Sequence, residues 1–572
     1  MRHLLCWLFA ALSWAAFPEV ARAEITVETV LTPMRDGIRL ATDVYRDANR
    51  KSGPVLLMRT PYNKDRAKGA AQYFANAGYI AVVQDCRGKF ASEGTFVPYN
   101  QEGQDGYDAV EWIGKQPWCN GRIGMWGSSY VGATQWQAAV ERPPGLVAIA
   151  PTATWTSFYR NLYLGGAVRL SLITRWAAGN SPIPPGATAT NDWDQTLHHL
   201  PLDDFDLAIG WPIPWLRGML THPEPNGYWT RLDLTQQVEQ LDLPVQHVVG
   251  YYDFFSRESV ESFVRMQQRA KLESTRRRQQ LILGPWDHGT IGQTKVGDVD
   301  FGPQAAWDLQ AANLEWFDRH VKQAPELETR PFAPVRYFSM GDNRWFNAET
   351  WPPADAQLTP FYLHSQGGAN TRAGDGRLTR TAPTSDEPHD EFRADPAAPV
   401  PACPVTPQRP LNAATWAPVD QRPLEDRPDV LVYSSEKLAE PLTIAGDVKA
   451  ELYVSADTPD ADWVVKLIDV HPDGFAQNLN VGILRARYRK SERKPELLTP
   501  GETTKIVVDL GPVAVQLGVG HTLRVDVCGA YFPLFDRNPN TAAGPFGKET
   551  AVATERVHHS PQSPSRLWLP LR

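Results

Sequence analysis

The sequence predicts an α/β protein: a mostly parallel sheet covered on both faces, interrupted by a helical insertion and followed by an antiparallel β domain. Three observations carry that reading. Short apolar runs alternate with amphipathic helical stretches over residues 24–151 and again over 241–330, the pattern of a sheet built from strand–helix–strand units. Residues 152–240 hold Trp155, Tyr159, Tyr163, Trp176, Trp193, Trp211, Trp215 and Trp229 among several prolines, with no clear buried-strand run, and read as a helical cap. Over 331–572 polarity alternates in short segments separated by turn residues, as in a sandwich.

Residues 25–27 and 38–45 read as strands joined through Asp36-Gly37, a hairpin turn pair. The run Pro54-Val55-Leu56-Leu57-Met58 is apolar at consecutive positions, as a strand buried on both faces requires. A helix is expected over 65–78, a buried strand over 79–83, and a helix over 104–116, where Tyr107, Val110, Trp112 and Ile113 fall at roughly helical spacing. Then come a short strand at 123–126, a helix at 130–141 and a strand at 146–150. The alternation resumes with a strand at 244–250, a helix at 258–271, a strand at 279–283 and a helix at 305–322. In the last part, 447–454 alternates in polarity, and 505–510 and 522–527 do so less strictly. Residues 365–430, rich in Pro, Ala, Asp and Thr, are expected to run as long surface loops.

The amino terminus reads as a secretory signal over 1–23. Met1-Arg2-His3 gives a basic start, Leu4 to Leu12 an apolar run, and Ala21-Arg22-Ala23 a small-residue cleavage site. The expectation is an exported protein, periplasmic or secreted. No later stretch has the roughly 20 consecutive apolar residues of a membrane span. The roughly 550 residues that follow are too many for one core and suggest two or three domains. A net charge of -8 argues against a general nucleic-acid binder. Four cysteines remain after the signal: Cys86, Cys119, Cys403 and Cys528. Their spacing has no metal-site pattern. Isolated buried thiols are the default, with a Cys86–Cys119 disulfide the alternative in an oxidising compartment.

The strongest chemical signal is Gly127-Ser128-Ser129-Tyr130-Val131-Gly132, which follows a short strand and opens a helix. Acyl transfer needs a hydroxyl held proud of the surface on a strained strand-to-helix turn, beside the free N–H groups of a helix start. The ordinary G-x-S-x-G pattern has a small residue at 131; this chain has Val131 and places glycine at 132. A serine needs a base, and on such folds the acid and the histidine follow in chain order. Asp253 ends the run Val248-Val249-Gly250-Tyr251-Tyr252, and His288 lies in Gly284-Pro285-Trp286-Asp287-His288-Gly289, each just after an expected strand. Asp253 can also be a helix cap, His288 a plain loop histidine, and Asp287 the acid in place of Asp253.

Several stretches together resemble the CocE/NonD serine hydrolases, which include cocaine esterase, α-amino acid ester hydrolases and X-prolyl dipeptidyl peptidases. They are Met34-Arg35-Asp36-Gly37, Arg59-Thr60-Pro61-Tyr62, Asp85-Cys86-Arg87-Gly88, Ser92-Glu93-Gly94, Gln116 to Gly121, Gly124 to Tyr130, Gly284 to Gly289 and Phe532 to Asn540. The resemblance implies an α/β-hydrolase core over 24–151 and 241–330, a helical cap over 152–240, and a C-terminal jelly roll over 331–572. It implies Ser129 as nucleophile, and the Tyr62 hydroxyl and Tyr130 backbone N–H as oxyanion donors. It implies no metal or organic cofactor.

Hydrolysis of a small ester or amide through an acyl-enzyme is the function expected. The ester hydrolases of this family that act on α-amino acids hold the substrate's ammonium with carboxylates close after the triad aspartate. Here Phe254-Phe255-Ser256 follows Asp253, which favours an apolar or aromatic acyl group. Trp155, Tyr159, Tyr163, Phe254 and Phe255 are candidate pocket residues; the three cap aromatics can equally hold cap helices together. An X-Pro dipeptidyl peptidase, a β-lactam acylase and a non-catalytic carbohydrate-binding protein are the competing readings. The sequence leaves open the oligomeric state, homo-oligomers included, and the partition between water and another acyl acceptor.

Overall fold

The computed structural model describes residues 24–328 and 330–572; the expected signal over 1–23 lies outside the described residues. The first part is built on a ten-stranded sheet: β1 (Ile25–Pro33), β2 (Arg39–Asp47), β3 (Gly53–Thr60), β4 (Ile80–Asp85), β5 (Cys119–Ser128), β6 (Leu146–Thr152), β7 (Val245–Gly250), β8 (Gln279–Gly284), β9 (Val335–Ser339) and β10 (Arg344–Ala348). Their order in space is β1-β2-β4-β3-β5-β6-β7-β8-β9-β10. The run from β4 to β9 is parallel. β1, β2 and β10 attach antiparallel at the two edges.

Alternation along each strand divides the core into two layers. Leu56 and Ala81 face α1 (Lys68–Asn76) and the helix Leu309–Phe317, meeting Phe74, Trp316 and Phe317. Val55, Leu57 and Val82 face α2 (Glu102–Gly114) and α3 (Tyr130–Val140), meeting Ile113, Trp136 and Ala139. With both faces covered, Val55, Leu56 and Leu57 have no exposed surface, which is why this strand is apolar without alternation. Truncating Leu57 to alanine would leave a cavity costing about 2–5 kcal/mol.

Between β6 and β7 lie the short helices Phe158–Leu162, Leu170–Asn180, Trp193–Leu197, Phe205–Ile209 and Pro214–Leu220. Their apolar faces share a cluster with Tyr130 and Phe255 of the core and Phe532 of the C-terminal region.

Two expectations differ from the structure. β9 pairs parallel with β8, Leu281 opposite Val335 and Leu283 opposite Tyr337, so the first sheet continues to residue 348 and a boundary at 331 cuts through it. A short strand that completes a parallel sheet and one that starts a sandwich look alike locally; only the partner differs. The stretch 365–430 is not loop throughout: it contains the strands Arg377–Thr379 and Asp390–Ala394. Asp390 has no exposed surface and accepts hydrogen bonds from Ser365 and Tyr433. A buried acid serves there as a hub, which composition alone reads as solvated.

The C-terminal region is β-rich and mostly antiparallel. Its fifteen-residue strand Leu442–Ala456 pairs with Thr504–Leu517, Ala553–Ser560 and Arg566–Leu571. The two sheets meet at Met340, just past β9. Its N–H donates to Ala514 O at 3.0 Å, and Gln516 N–H donates to Met340 O at 2.8 Å. Cys86, Cys119, Cys403 and Cys528 are free thiols. Among the described residues no helix is long and apolar enough to cross a membrane.

Candidate active site

β5 runs into α3 through a sharp turn with Ser129 at its apex. Ser129 has φ 61° and ψ -126°, a conformation an L-residue adopts only when its surroundings impose it. The surroundings are visible. Ser129 N–H donates to Thr152 O at 2.9 Å, tying the apex to β6. A Cβ on Gly127, itself at φ 132°, would lie 2.2 Å from Val131 Cγ1. A Cβ on Gly132 would lie 2.7 Å from Thr154 Cβ. The displaced glycine is thereby explained: Val131 fills the space that Gly127 leaves, and Gly132 is where the helix passes Thr154. Tyr130 opens α3, so its N–H is one of the first-turn donors without a helical partner.

The loops after β7 and β8 run side by side. Tyr251 N–H donates to Gly284 O at 2.9 Å and Tyr252 N–H to Trp286 O at 3.0 Å. Gly250 permits the approach, since a Cβ there would sit 1.9 Å from Trp286 O. The lacing brings Asp253 and His288 together: His288 Nδ1 lies 2.8 Å from Asp253 Oδ2. The other oxygen, Oδ1, accepts from Phe255 N–H at 2.8 Å, and the carboxylate is fully buried. A buried carboxylate on Nδ1 fixes the ring and leaves Nε2 for a reacting group. Asp287, the alternative acid, is engaged in its own turn, where Oδ1 accepts from Gly289 N–H at 2.9 Å and Thr290 Oγ1 at 2.8 Å.

Tyr62 follows β3 at the same end of the sheet. Trp176 Nε1 donates to its hydroxyl at 3.0 Å. Burial pushes the Tyr62 phenol up to about 12, against hydrogen bonds with Trp176 and Ser129, so it keeps its proton at neutral pH. Beneath it the Tyr130 hydroxyl donates to Glu102 Oε1 at 2.8 Å and accepts from Tyr99 N–H at 3.1 Å. Glu102 is paired in turn with the buried Arg59 at 2.8 Å. The arginine of Arg59-Thr60-Pro61-Tyr62 is therefore a buried strut. Other stretches of the resemblance also act as scaffold: Arg87 bridges Asp36 at 2.7 Å and Asp105 at 2.6 Å.

Ser129, His288 and Tyr62 line one cavity of about 230 Å³. Its other walls are Trp155, Phe254 and Phe255 from the expected set, with Tyr99, Phe158, Asn161, Leu162, Leu172, Ile173 and Trp176. The Phe254 ring sits 4.3 Å from the His288 ring and shields its face. Tyr159 and Tyr163 are placed elsewhere. They stack on each other at 5.2 Å, and their hydroxyls donate to cap carbonyls, Tyr159 to Pro223 at 2.9 Å and Tyr163 to Met219 at 3.1 Å. Both hold the cap together. Trp176 is the wall residue that sequence reasoning left unassigned. Its signal was the spacing Leu172, Ile173, Trp176, one apolar stripe on the helix Leu170–Asn180.

Residues 36–290 match the family model of the X-Pro dipeptidyl-peptidase (S15 family), and residues 330–568 match that of the X-Pro dipeptidyl-peptidase C-terminal non-catalytic domain. The chain is 37% identical to the cocaine esterase of a Rhodococcus species over 95% of its own length and 98% of that protein's. The chain belongs to the CocE/NonD hydrolase family. It is a serine hydrolase on the α/β-hydrolase fold, with a β-rich C-terminal domain. Among solved structures, an aminopeptidase from a marine sediment Thaumarchaeota archaeon superposes with a TM-score of 0.85 at 26% identity, covering 98% of this chain and 99% of that one. An α-amino acid ester hydrolase superposes with a TM-score of 0.83 at 27% identity, covering 99% and 98%.

Proposed function

We propose that this hydrolase cleaves small esters with an apolar or aromatic acyl group, through an acyl-enzyme on Ser129. His288 takes the proton of Ser129 as the hydroxyl attacks the carbonyl carbon. Asp253 holds the imidazole in its tautomer and balances the imidazolium. The Tyr62 hydroxyl and the Tyr130 N–H receive the oxyanion, each donor contributing about 3 kcal/mol in the transition state. The imidazolium then protonates the leaving alkoxide, and water, activated by the same histidine, releases the acid.

The observation that carries the substrate class is the cavity wall. Beside Ser129 and His288 it holds five phenylalanine and tryptophan rings next to aliphatic chains of two cap helices, and no carboxylate. Apolar cavities of about 150 Å³ admit benzene. A volume of about 230 Å³ leaves room for one ring and the ester carbon. The aminopeptidase and amino-acid-ester relatives point to substrates with a free ammonium, which this wall gives no counter-charge to hold.

A panel of aryl esters, amino-acid esters, β-lactam acyl amides and X-Pro nitroanilides tests the reading. The aryl esters are expected to turn over with the highest kcat/KM; preference for an X-Pro or amino-acid substrate would overturn the ranking. A fluorophosphonate probe is expected to label the wild type and not Ser129→Ala. Labelling that persists in the variant would move the nucleophile elsewhere.

A further inference from the structure

The C-terminal domain carries a second cluster of chemistry-bearing side chains, outside the walls of the catalytic cavity. The strands Asp462–Val470 and Thr522–Cys528 pair antiparallel, with Val470 opposite Thr522 and Asp469 opposite Leu523. Continuing that register by one residue sets His471 opposite His521, each at the mouth of a tight turn. Residues two apart share a face of a strand, and directly opposed residues share it too. Asp469, His471 and His521 therefore project together. On the other side, Asp469 is directly opposite Gln477 of the strand Ala476–Arg485, which adds a carboxamide to the same face.

The distances match the placement. His521 Nδ1 lies 2.7 Å from Asp469 Oδ1, and His471 Nε2 lies 3.6 Å from Asp469 Oδ2. One ligand atom from each residue lies within 4.8 Å of the others, and this is the one such group of three among the described residues. Gln477 Oε1 is 3.2 Å from His471 Nε2. Asp469 is nearly buried, while the imidazoles keep 33% and 18% of their surface, so an ion has an entry path.

We propose that Asp469, His471 and His521 form a binding site for a zinc-type divalent ion. Two imidazoles and one carboxylate suit a borderline transition metal and not Ca²⁺ or Mg²⁺, which take oxygen cages. Zinc bonds of about 2.0–2.2 Å to nitrogen and oxygen place tetrahedral ligand atoms about 3.4 Å apart; the 3.6 Å from His471 Nε2 to Asp469 Oδ2 matches this, and the 2.7 Å hydrogen bond of His521 to Oδ1 would open by about 0.7 Å as the ion replaces its proton. The fourth position falls to water or to Gln477 Oε1. Gln477 is itself tied to the hydrolase core, because its Nε2 donates to the Tyr252 hydroxyl at 3.0 Å. An ion bound here would clasp two turns of the β-rich domain beside the contact that reaches the residue before Asp253.

The test uses untagged full chain stripped with a chelator and titrated with Zn²⁺ by calorimetry, with the melting temperature followed in parallel. The expected result is one equivalent bound at micromolar Kd or tighter, with a higher Tm. In His471→Ala and His521→Ala, binding weakens at least 30-fold while ester hydrolysis stays at the wild-type rate. No uptake by the stripped wild type overturns the proposal, as does an unchanged equivalent in the double variant. If a variant misfolds, the wild type alone decides: bound zinc should protect His471 and His521 from diethylpyrocarbonate, and zinc binding without that protection overturns the site.

Discussion

The indole of Trp176, in the cap, donates to the hydroxyl oxygen of Tyr62, in the core, at 3.0 Å. That bond occupies a lone pair of the phenol and leaves its proton free for the cavity that Ser129 enters. A cap side chain thus aims a core side chain, and the two substitutions should differ in size.

Tyr62→Phe is expected to lower kcat by about 100-fold or more with a smaller change in KM, because an oxyanion donor acts in the transition state. Trp176→Phe removes the bond that aims it while a ring still covers that part of the cavity wall, and should lower kcat about five- to tenfold, near the 1 kcal/mol of one hydrogen bond. Steady-state kinetics on one aryl ester reads both. Equal losses would assign Trp176 a role of its own, and an unaltered rate in Tyr62→Phe would take the phenol out of the site.

Asp253→Asn should reduce kcat by about 10³–10⁴-fold while leaving the melting temperature near that of the wild type, since the amide presents the wrong group to His288 Nδ1. Asp287→Asn should change kcat less than tenfold, because Asp287 closes a turn and does not face the imidazole. A larger kinetic loss in Asp287→Asn than in Asp253→Asn would reverse the assignment.

Gly127→Ala places a Cβ 2.2 Å from Val131 Cγ1 at a φ of 132°. Overpacking and backbone strain together are expected to destabilise the chain by about 2 kcal/mol or more. Gly127→Ala combined with Val131→Ala should recover part of that loss, which denaturant titration of the two variants would measure. No recovery would mean that the backbone angle, and not the valine, sets the requirement.

His247, in β7 between the rings of Trp136 and Phe263, is held down to about 3 by burial, only partly offset by Gln279. The unfolded imidazole titrates near 6.5. As pH falls the unfolded chain takes up this proton first, so the stability is complete above about 6.5 and is lost as pH drops toward about 3. The slope from one such group is about 1.4 kcal/mol per pH unit at most. Melting temperature against pH should fall less steeply below 6.5 in His247→Gln than in the wild type; parallel curves would show that other groups govern the acid limb.

How much could be read from the sequence depended on how local the signal was. The turn at Ser129 was legible because glycine, serine and a following helix lie within six residues. The meeting of Asp253 and His288 was legible from chain order, since each directly follows a strand of a parallel sheet. The walls of the cavity were less so. Trp155 lines it and Tyr159 does not, because Trp155 precedes the helix Phe158–Leu162 while Tyr159, within it, is held by Trp229 and Pro223 far along the chain. β9 was misassigned for a similar reason: its partner β8 lies some fifty residues earlier, and nothing in Val335–Ser339 names it. The cluster at Asp469 escaped notice because register between strands, not spacing within one, assembles it.

The backbone bonds at Met340 have a mechanical meaning. They run a hydrogen-bonded path from the end of β9 into Thr504–Leu517, so main chain as well as side chains fixes the seam between the halves. A chain cut after β10 would present an unmatched N–H and C=O there, beside apolar side chains stripped of their cover, and should precipitate instead of surviving as a smaller enzyme.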